Sequence, residues 1–131
     1  MLIKLKIIIT LALGMGITIL YPAHASAPKA EIAMIHLAIA KTQPKSYAEI
    51  KVRDYGWGKK QIGCLNKLWG KESAWNRHAD NPHSTAFGIA QMLGEKSRNP
   101  VTQINNGLRY IQHRYDTPCN AWTFWQRNRW Y

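Results

Sequence analysis

The chain has 131 residues, with 18 Lys and Arg against 7 Asp and Glu, for a formal charge of +11. A single domain commonly runs to about 150 residues, which excludes a multidomain enzyme and a dinucleotide-binding domain paired with a substrate domain. Hydrophobic residues at 46% and charged residues at 19% are globular values and exclude wholesale disorder. Six tryptophans and the charge excess point to a polyanionic or carbohydrate partner rather than a small apolar ligand.

Residues 1–25 read as an address. Lys4 and Lys6 come first with no acid, Ile7 to Leu20 is uncharged, Pro22 breaks the run, and Ala23-His24-Ala25 is a small-x-small site before Ser26. This is the layout of a secretory signal peptide. A membrane-spanning helix needs roughly 20 apolar residues, and this run is shorter, so cleavage near Ala25 is expected over retention as an anchor. Cleavage removes Lys4 and Lys6 and lowers the charge from +11 to +9. The expected location is periplasmic, extracellular or at the cell wall.

Export sets the reading of the cysteines and of the charge. Cys64 and Cys119 would meet an oxidising compartment, where a single pair forms a disulfide. Closing a loop of that length stabilises a fold by roughly 4 kcal/mol at most. Neither cysteine belongs to a C-x-x-C pair or a protease-like cysteine motif. An exported basic protein meets anionic wall polymers first, and the chain carries no zinc-finger spacing, RRM core or basic helix run. Diffuse attraction to the cell wall is expected, and no nucleic-acid partner.

Residues 26–45 read as an N-terminal helix and its connection. The helix, 29–41, has Ile32, Ile35 and Ile39 on one stripe, widened by Leu37 and Ala38. Gln43-Pro44-Lys45-Ser46 interrupts, and Ser46 with Glu49 fits a capping box that opens a second helix towards Tyr55, stopped by Gly56 and Gly58. A third helix spans 59–71. A polar stretch follows, 76–85, and then Gly88 and Gly94. A fourth helix opens at Asn99-Pro100, a cap followed by proline at the first helical position, and carries Ile104, Leu108, Ile111 and Tyr115. No long segment alternates with period two. The fold class is mainly α, one domain with a loop-rich middle.

The third helix carries a chemical signal. Its apolar stripe is Leu65, Leu68 and Trp69, and the next position on that stripe is Glu72. A carboxylate continuing a core-facing stripe loses water, which disfavours its charged form and raises its pKa. The negative end of the helix dipole acts in the same direction. A carboxylic acid kept protonated near neutral pH is what general-acid catalysis needs. From periodicity alone, a Glu pointing to solvent at a fraying helix end is the alternative.

Three motifs follow in order. Leu68-Trp69-Gly70-Lys71-Glu72-Ser73-Ala74-Trp75-Asn76 is the first, Gly88-Ile89-Ala90-Gln91 the second, and Gln103-Ile104-Asn105-Asn106-Gly107-Leu108-Arg109-Tyr110-Ile111 the third. Together they resemble the lytic transglycosylases with the goose-type lysozyme-like fold, over most of the chain after the signal segment. That family shows a Glu-Ser pair ending a helix, a Gly-Leu-Met-Gln-like motif and a helix reading Asn-Ile-x-x-Gly-x-x-Tyr-Leu. The resemblance implies a lysozyme-like transglycosylase domain over 46–131, with Glu72 as catalytic acid and base. It implies that Ser73 helps place the substrate or Glu72, that Gly88, Ile89 and Gln91 border the substrate, and that Tyr110 faces Glu72. Ala90 stands where the family has Met, and Gln103 where it has Asn. The aromatic-rich tail, with Trp122, Trp125, Trp130 and Tyr131, resembles small secreted members.

The implied reaction is cleavage of peptidoglycan glycan strands between N-acetylmuramic acid and N-acetylglucosamine, closing a 1,6-anhydro ring with one carboxyl group. Hydrolysis by a muramidase needs a second carboxylate, for which Asp80 is the nearby candidate. A non-catalytic wall-binding module is the remaining alternative. No metal and no cofactor are expected: His36, His78, His83 and His113 make no ligand spacing. His78 and His83 could touch substrate from the loop, His36 reads as a core residue, and Trp57 and Trp69 read as core. Trp75 reads as core or cleft wall, and Trp122 and Trp125 as anchors of the tail. A monomer is expected.

Overall fold

The structure is a computed structural model that describes residues 28–131, so the expected signal segment lies outside the described residues. Five α-helices dominate it: α1 Lys29–Thr42, α2 Pro44–Asp54, α3 Lys59–Glu72, α4 Pro100–Tyr115 and α5 Pro118–Asn128. A two-residue hairpin, β1 Ala86–Phe87 against β2 Met92–Leu93, lies in the segment between α3 and α4. Mainly α with a loop-rich middle therefore holds. None of the described helices is long and apolar enough to cross a membrane.

Helix boundaries follow local chemistry. Asn99 caps α4 by accepting the Val101 backbone N–H at 2.9 Å, with Pro100 supplying a preset φ at the first position. Thr117 and Pro118 repeat the device for α5. That helix was not expected from sequence, where its residues read only as an aromatic-rich tail. The capping box at Ser46 is corrected: α2 opens three residues earlier, with Gln43 outside and Pro44 in the first turn. The Ser46 hydroxyl instead donates to the Gln43 side-chain carbonyl at 3.3 Å. Proline is tolerated in a first turn because that N–H has no helical acceptor, so Pro44 begins the helix rather than interrupting it.

The core joins Val52 of α2, Leu65, Leu68 and Trp69 of α3, Ile104, Leu108 and Ile111 of α4 and Ala121 of α5, all enclosed. Helices α3 and α5 form the most extensive pair, and the Cys64–Cys119 disulfide joins them, as expected, with Cα atoms 4.9 Å apart. Gly107 sets the approach to α4: a Cβ there would lie 2.5 Å from the Ala90 Cβ and 2.6 Å from the Trp69 ring. Ala90 and Gly107 are thus a matched small pair, which is why a residue larger than Ala does not fit at 90 in this packing.

The α1 stripe marks a helix, as expected, but most of it stays exposed. Ile32 and Ile35 are 40% and 49% exposed, and in α1 only Ala40 is fully enclosed, with Ile39 partly buried beside it. Only the last turns of α1 reach α2 and α4; periodicity reports that a helix has an apolar side, not that something covers it. His36 is half-buried and meets Tyr47 edge-on at 5.6 Å. Trp69 is core, whereas Trp57 is only partly buried and stacks on Tyr55 at 4.7 Å.

Candidate active site

Glu72 is the last residue of α3, and the stripe that predicts its direction holds: Leu65, Leu68 and Trp69 are enclosed and Glu72 is half-buried one step further on. Its Oε1 is enclosed and has no hydrogen-bond partner. Burial raises the carboxyl above its ordinary value of 4.5, and the nearby polar edge of the Trp125 side chain acts the other way with smaller effect. Trp125 is therefore more than an anchor of the tail.

The chain turns sharply after Glu72. Ala74 and Trp75 both take left-handed conformations, φ 51° and 64°, which side chains larger than glycine adopt at a cost of about 1–3 kcal/mol each. Trp75 is core, packing edge-on against Trp69 at 5.2 Å. The Ser73 hydroxyl donates to the Ile89 carbonyl at 2.6 Å and ties the end of α3 to the second motif. Ser73 thus holds Glu72's surroundings; it does not line the Glu72 cleft.

That cleft has a volume of about 350 Å³ and is lined by Glu72, Asn81, Ser84, Ala86, Gln91, Leu93 and residues 129–131. Gln91 borders it from a left-handed position, φ 49°, and its amide donates to the Gly88 and Ala79 carbonyls at 2.9 and 3.1 Å. Gly88 and Ile89 stand behind this lining. Ile89 is fully enclosed, and a Cβ on Gly88, at φ 78°, would strike the Gln103 side chain at 2.4 Å. Gln103 is the hub: its Oε1 accepts the Ile89 N–H at 3.1 Å, while its amide donates to the Ser97 and Arg77 carbonyls at 2.7 and 3.0 Å. A buried amide satisfying three backbone groups fixes the loop, because each would otherwise lose water without compensation.

Of the residues expected at the site, the structure brings Glu72 and Gln91 into one cleft and places Ser73, Gly88 and Ile89 in its support. Tyr110 lies in an adjoining cavity of about 200 Å³ with Gln91, Met92, Leu93 and Tyr131. Tyr131 lines both cavities, and its ring meets Tyr110 edge-on at 5.7 Å. Reading the sequence did not assign Tyr131 a role; nothing in its local pattern announces one.

Glu72 is the single acidic side chain lining the cleft. Asp80 is exposed and forms an isolated bridge with Phe87 on the hairpin. Glu95 is spent on structure, accepting the Ser97 N–H at 2.7 Å and the Asn106 amide at 2.8 Å. His78 and His83 are exposed, their backbone N–H groups donating to Asn76 and Asn81 side chains, and neither lines the cleft. No group of three His, Cys, Asp or Glu among the described residues converges to hold a metal. Comparison with protein-family models, curated proteins and solved structures finds no match to this chain.

Proposed function

We propose that the protein is an exported enzyme of lysozyme-like fold that cleaves peptidoglycan glycan strands as a lytic transglycosylase. One observation carries this reading: a desolvated carboxyl, with an unpartnered oxygen, on a cleft lined by no second acidic side chain. Raised affinity for its proton suits Glu72 to the part of a general acid. The order of the three motifs around it, Glu72-Ser73, Gly88 to Gln91 and Gln103 to Tyr110, supports the choice of substrate.

In the proposed reaction Glu72 gives its proton to the glycosidic oxygen and the C1–O bond breaks, releasing the sugar beyond it as an alcohol. The substrate's own 2-acetamido group stabilises the cationic C1. The Glu72 carboxylate then takes the proton of the 6-hydroxyl as O6 bonds to C1, which returns Glu72 to its starting form. Water and a second carboxylate have no part. The basic surface favours anionic wall polymers: one ion pair, Lys51 with Asp54, engages a lysine among the described residues, leaving most cations free to act at long range.

The test is digestion of purified peptidoglycan followed by mass analysis of the soluble products. Anhydro-muropeptides are expected. Reducing ends would make the enzyme a hydrolytic muramidase, and no soluble product would remove the enzymatic reading.

A further inference from the structure

Residues 129–131 follow α5 and fold back over the end of α3. Arg129 takes a left-handed conformation, φ 65°, as the α5 C-cap, and its guanidinium lies 5.2 Å from the Trp125 ring centroid. Trp130 is half-exposed and packs edge-on to Phe124 at 4.8 Å. Tyr131 turns inward. Its hydroxyl accepts the Trp69 indole N–H at 2.8 Å and donates to the Ala90 carbonyl at 2.6 Å.

We propose that Tyr131 is a positioning residue for Glu72: by bridging Trp69 on α3 to Ala90 in the second motif, it holds down the wall that closes the Glu72 carboxyl off from bulk water. The proposal deepens the enzymatic reading and rests on it for its catalytic meaning. Tyr131 does not itself transfer the proton. Its single O–H proton is committed to Ala90, and burial pushes the phenol well above its ordinary value, so that proton stays in place across the working pH range. Trp69 lies three residues before Glu72 on the same face of α3, so fixing its indole also fixes the last turn that carries the acid. Gly107 leaves the room in which Ala90 of the second motif and the Trp69 ring, the two partners of Tyr131, meet α4.

The charged and titratable groups facing Glu72 are few. Arg129 and Tyr131 come from the segment after α5, and Trp125 is the neighbour from α5 itself. The loop contributes the neutral Asn81, Ser84 and Gln91. Tyr110 of α4 and Tyr115 stand beyond Tyr131. No other acidic side chain and no second cation line the cleft, so water access is the variable that Tyr131 controls.

The experiment is a carbon-13 NMR titration of the Glu72 carboxyl in the full protein and in Tyr131→Phe, with peptidoglycan cleavage followed against pH in parallel. Glu72 should titrate above 4.5 in the unmodified protein and move back towards 4.5 in the variant. The alkaline limb of activity should shift to lower pH with it, because the acid loses its proton sooner. Rate at neutral pH should fall about 10²-fold, as for a misplaced catalytic group. Val52→Ala, in the core at α2, should lower the melting temperature without moving the Glu72 titration, which separates positioning from general loosening. An unchanged Glu72 titration in Tyr131→Phe overturns the proposal. So does the absence, in the unmodified protein, of a nuclear Overhauser contact between the Trp69 indole N–H and the Tyr131 ring, a measurement that needs no variant. A raised Glu72 that responds to Tyr131→Phe in a protein that leaves peptidoglycan intact would remove the enzymatic reading and keep the coupling.

Discussion

Two half-buried glutamates bracket the loop between α3 and α4, and the chain treats them in opposite ways. Glu95 has both oxygens occupied, one by the Ser97 N–H and one by the Asn106 amide, and it stitches the loop to α4. Glu72 has an enclosed oxygen with no partner and a carboxyl whose hold on its proton burial strengthens. A satisfied carboxylate is a structural tie; an unsatisfied one stores free energy that a substrate oxygen can release by accepting the proton. The difference teaches where to look for chemistry in a small domain: at the acid that the fold leaves unpaired.

The sharpest way to break this contrast is Glu72→Gln. It keeps the shape and removes the proton, and general acid–base assistance is worth about 10²–10⁴-fold, here for both proton transfers. Peptidoglycan cleavage should fall by at least that range. Stability should move the other way with pH. A carboxyl whose folded pKa is raised binds more protons when folded, so its favourable contribution is present below 4.5 and fades as pH rises through the raised value. Glu72→Gln should therefore match the parent's melting temperature in acid and exceed it above the raised value. Near wild-type cleavage by the variant would sink the assignment.

Next in size is the tether beneath Glu72. Replacing both Cys64 and Cys119 by Ala should lower stability by up to about 4 kcal/mol, measured by denaturant unfolding, because a bridge that long removes much freedom from the unfolded chain. Two free thiols in freshly exported protein would contradict the bridge. On the other side of the contrast, Glu95→Ala should cost about 1–2 kcal/mol from two lost hydrogen bonds, discounted for partial exposure. Cleavage by the folded protein should hardly change; a loss as deep as that of Glu72→Gln would mean that the two glutamates share the work. Asp80→Asn should have the smallest effect, within about 0.5 kcal/mol in stability and with no change of product, since Asp80 is exposed and off the cleft. A switch in product chemistry would show that it guides a water after all.

Local chemistry was legible wherever one segment decided the outcome. Asn99-Pro100 starts a helix wherever it lands, and the stripe Leu65, Leu68, Trp69 carries Glu72 inward because neighbours on a helix face share one environment. Two cysteines in a chain whose first residues read as an export signal were enough to expect the bridge that joins α3 to α5. The pattern of α1 placed a helix but not its cover: among the described residues nothing encloses its first turns, and cover belongs to other elements.

The amino-acid sequence by itself determined the helical class, the disulfide, the inward acid at the end of α3 and the order of the motifs around it. Tertiary structure alone decided that Gln103 knots the loop from beneath, that Gly107 admits Ala90, that Asp80 stays outside the cleft, and that Tyr131 returns to Trp69. The physical reason is common to all four. Each depends on groups brought within hydrogen-bond or van der Waals reach from far apart in the chain, 41 positions for Tyr131 and Ala90, and periodicity holds no information about such a meeting.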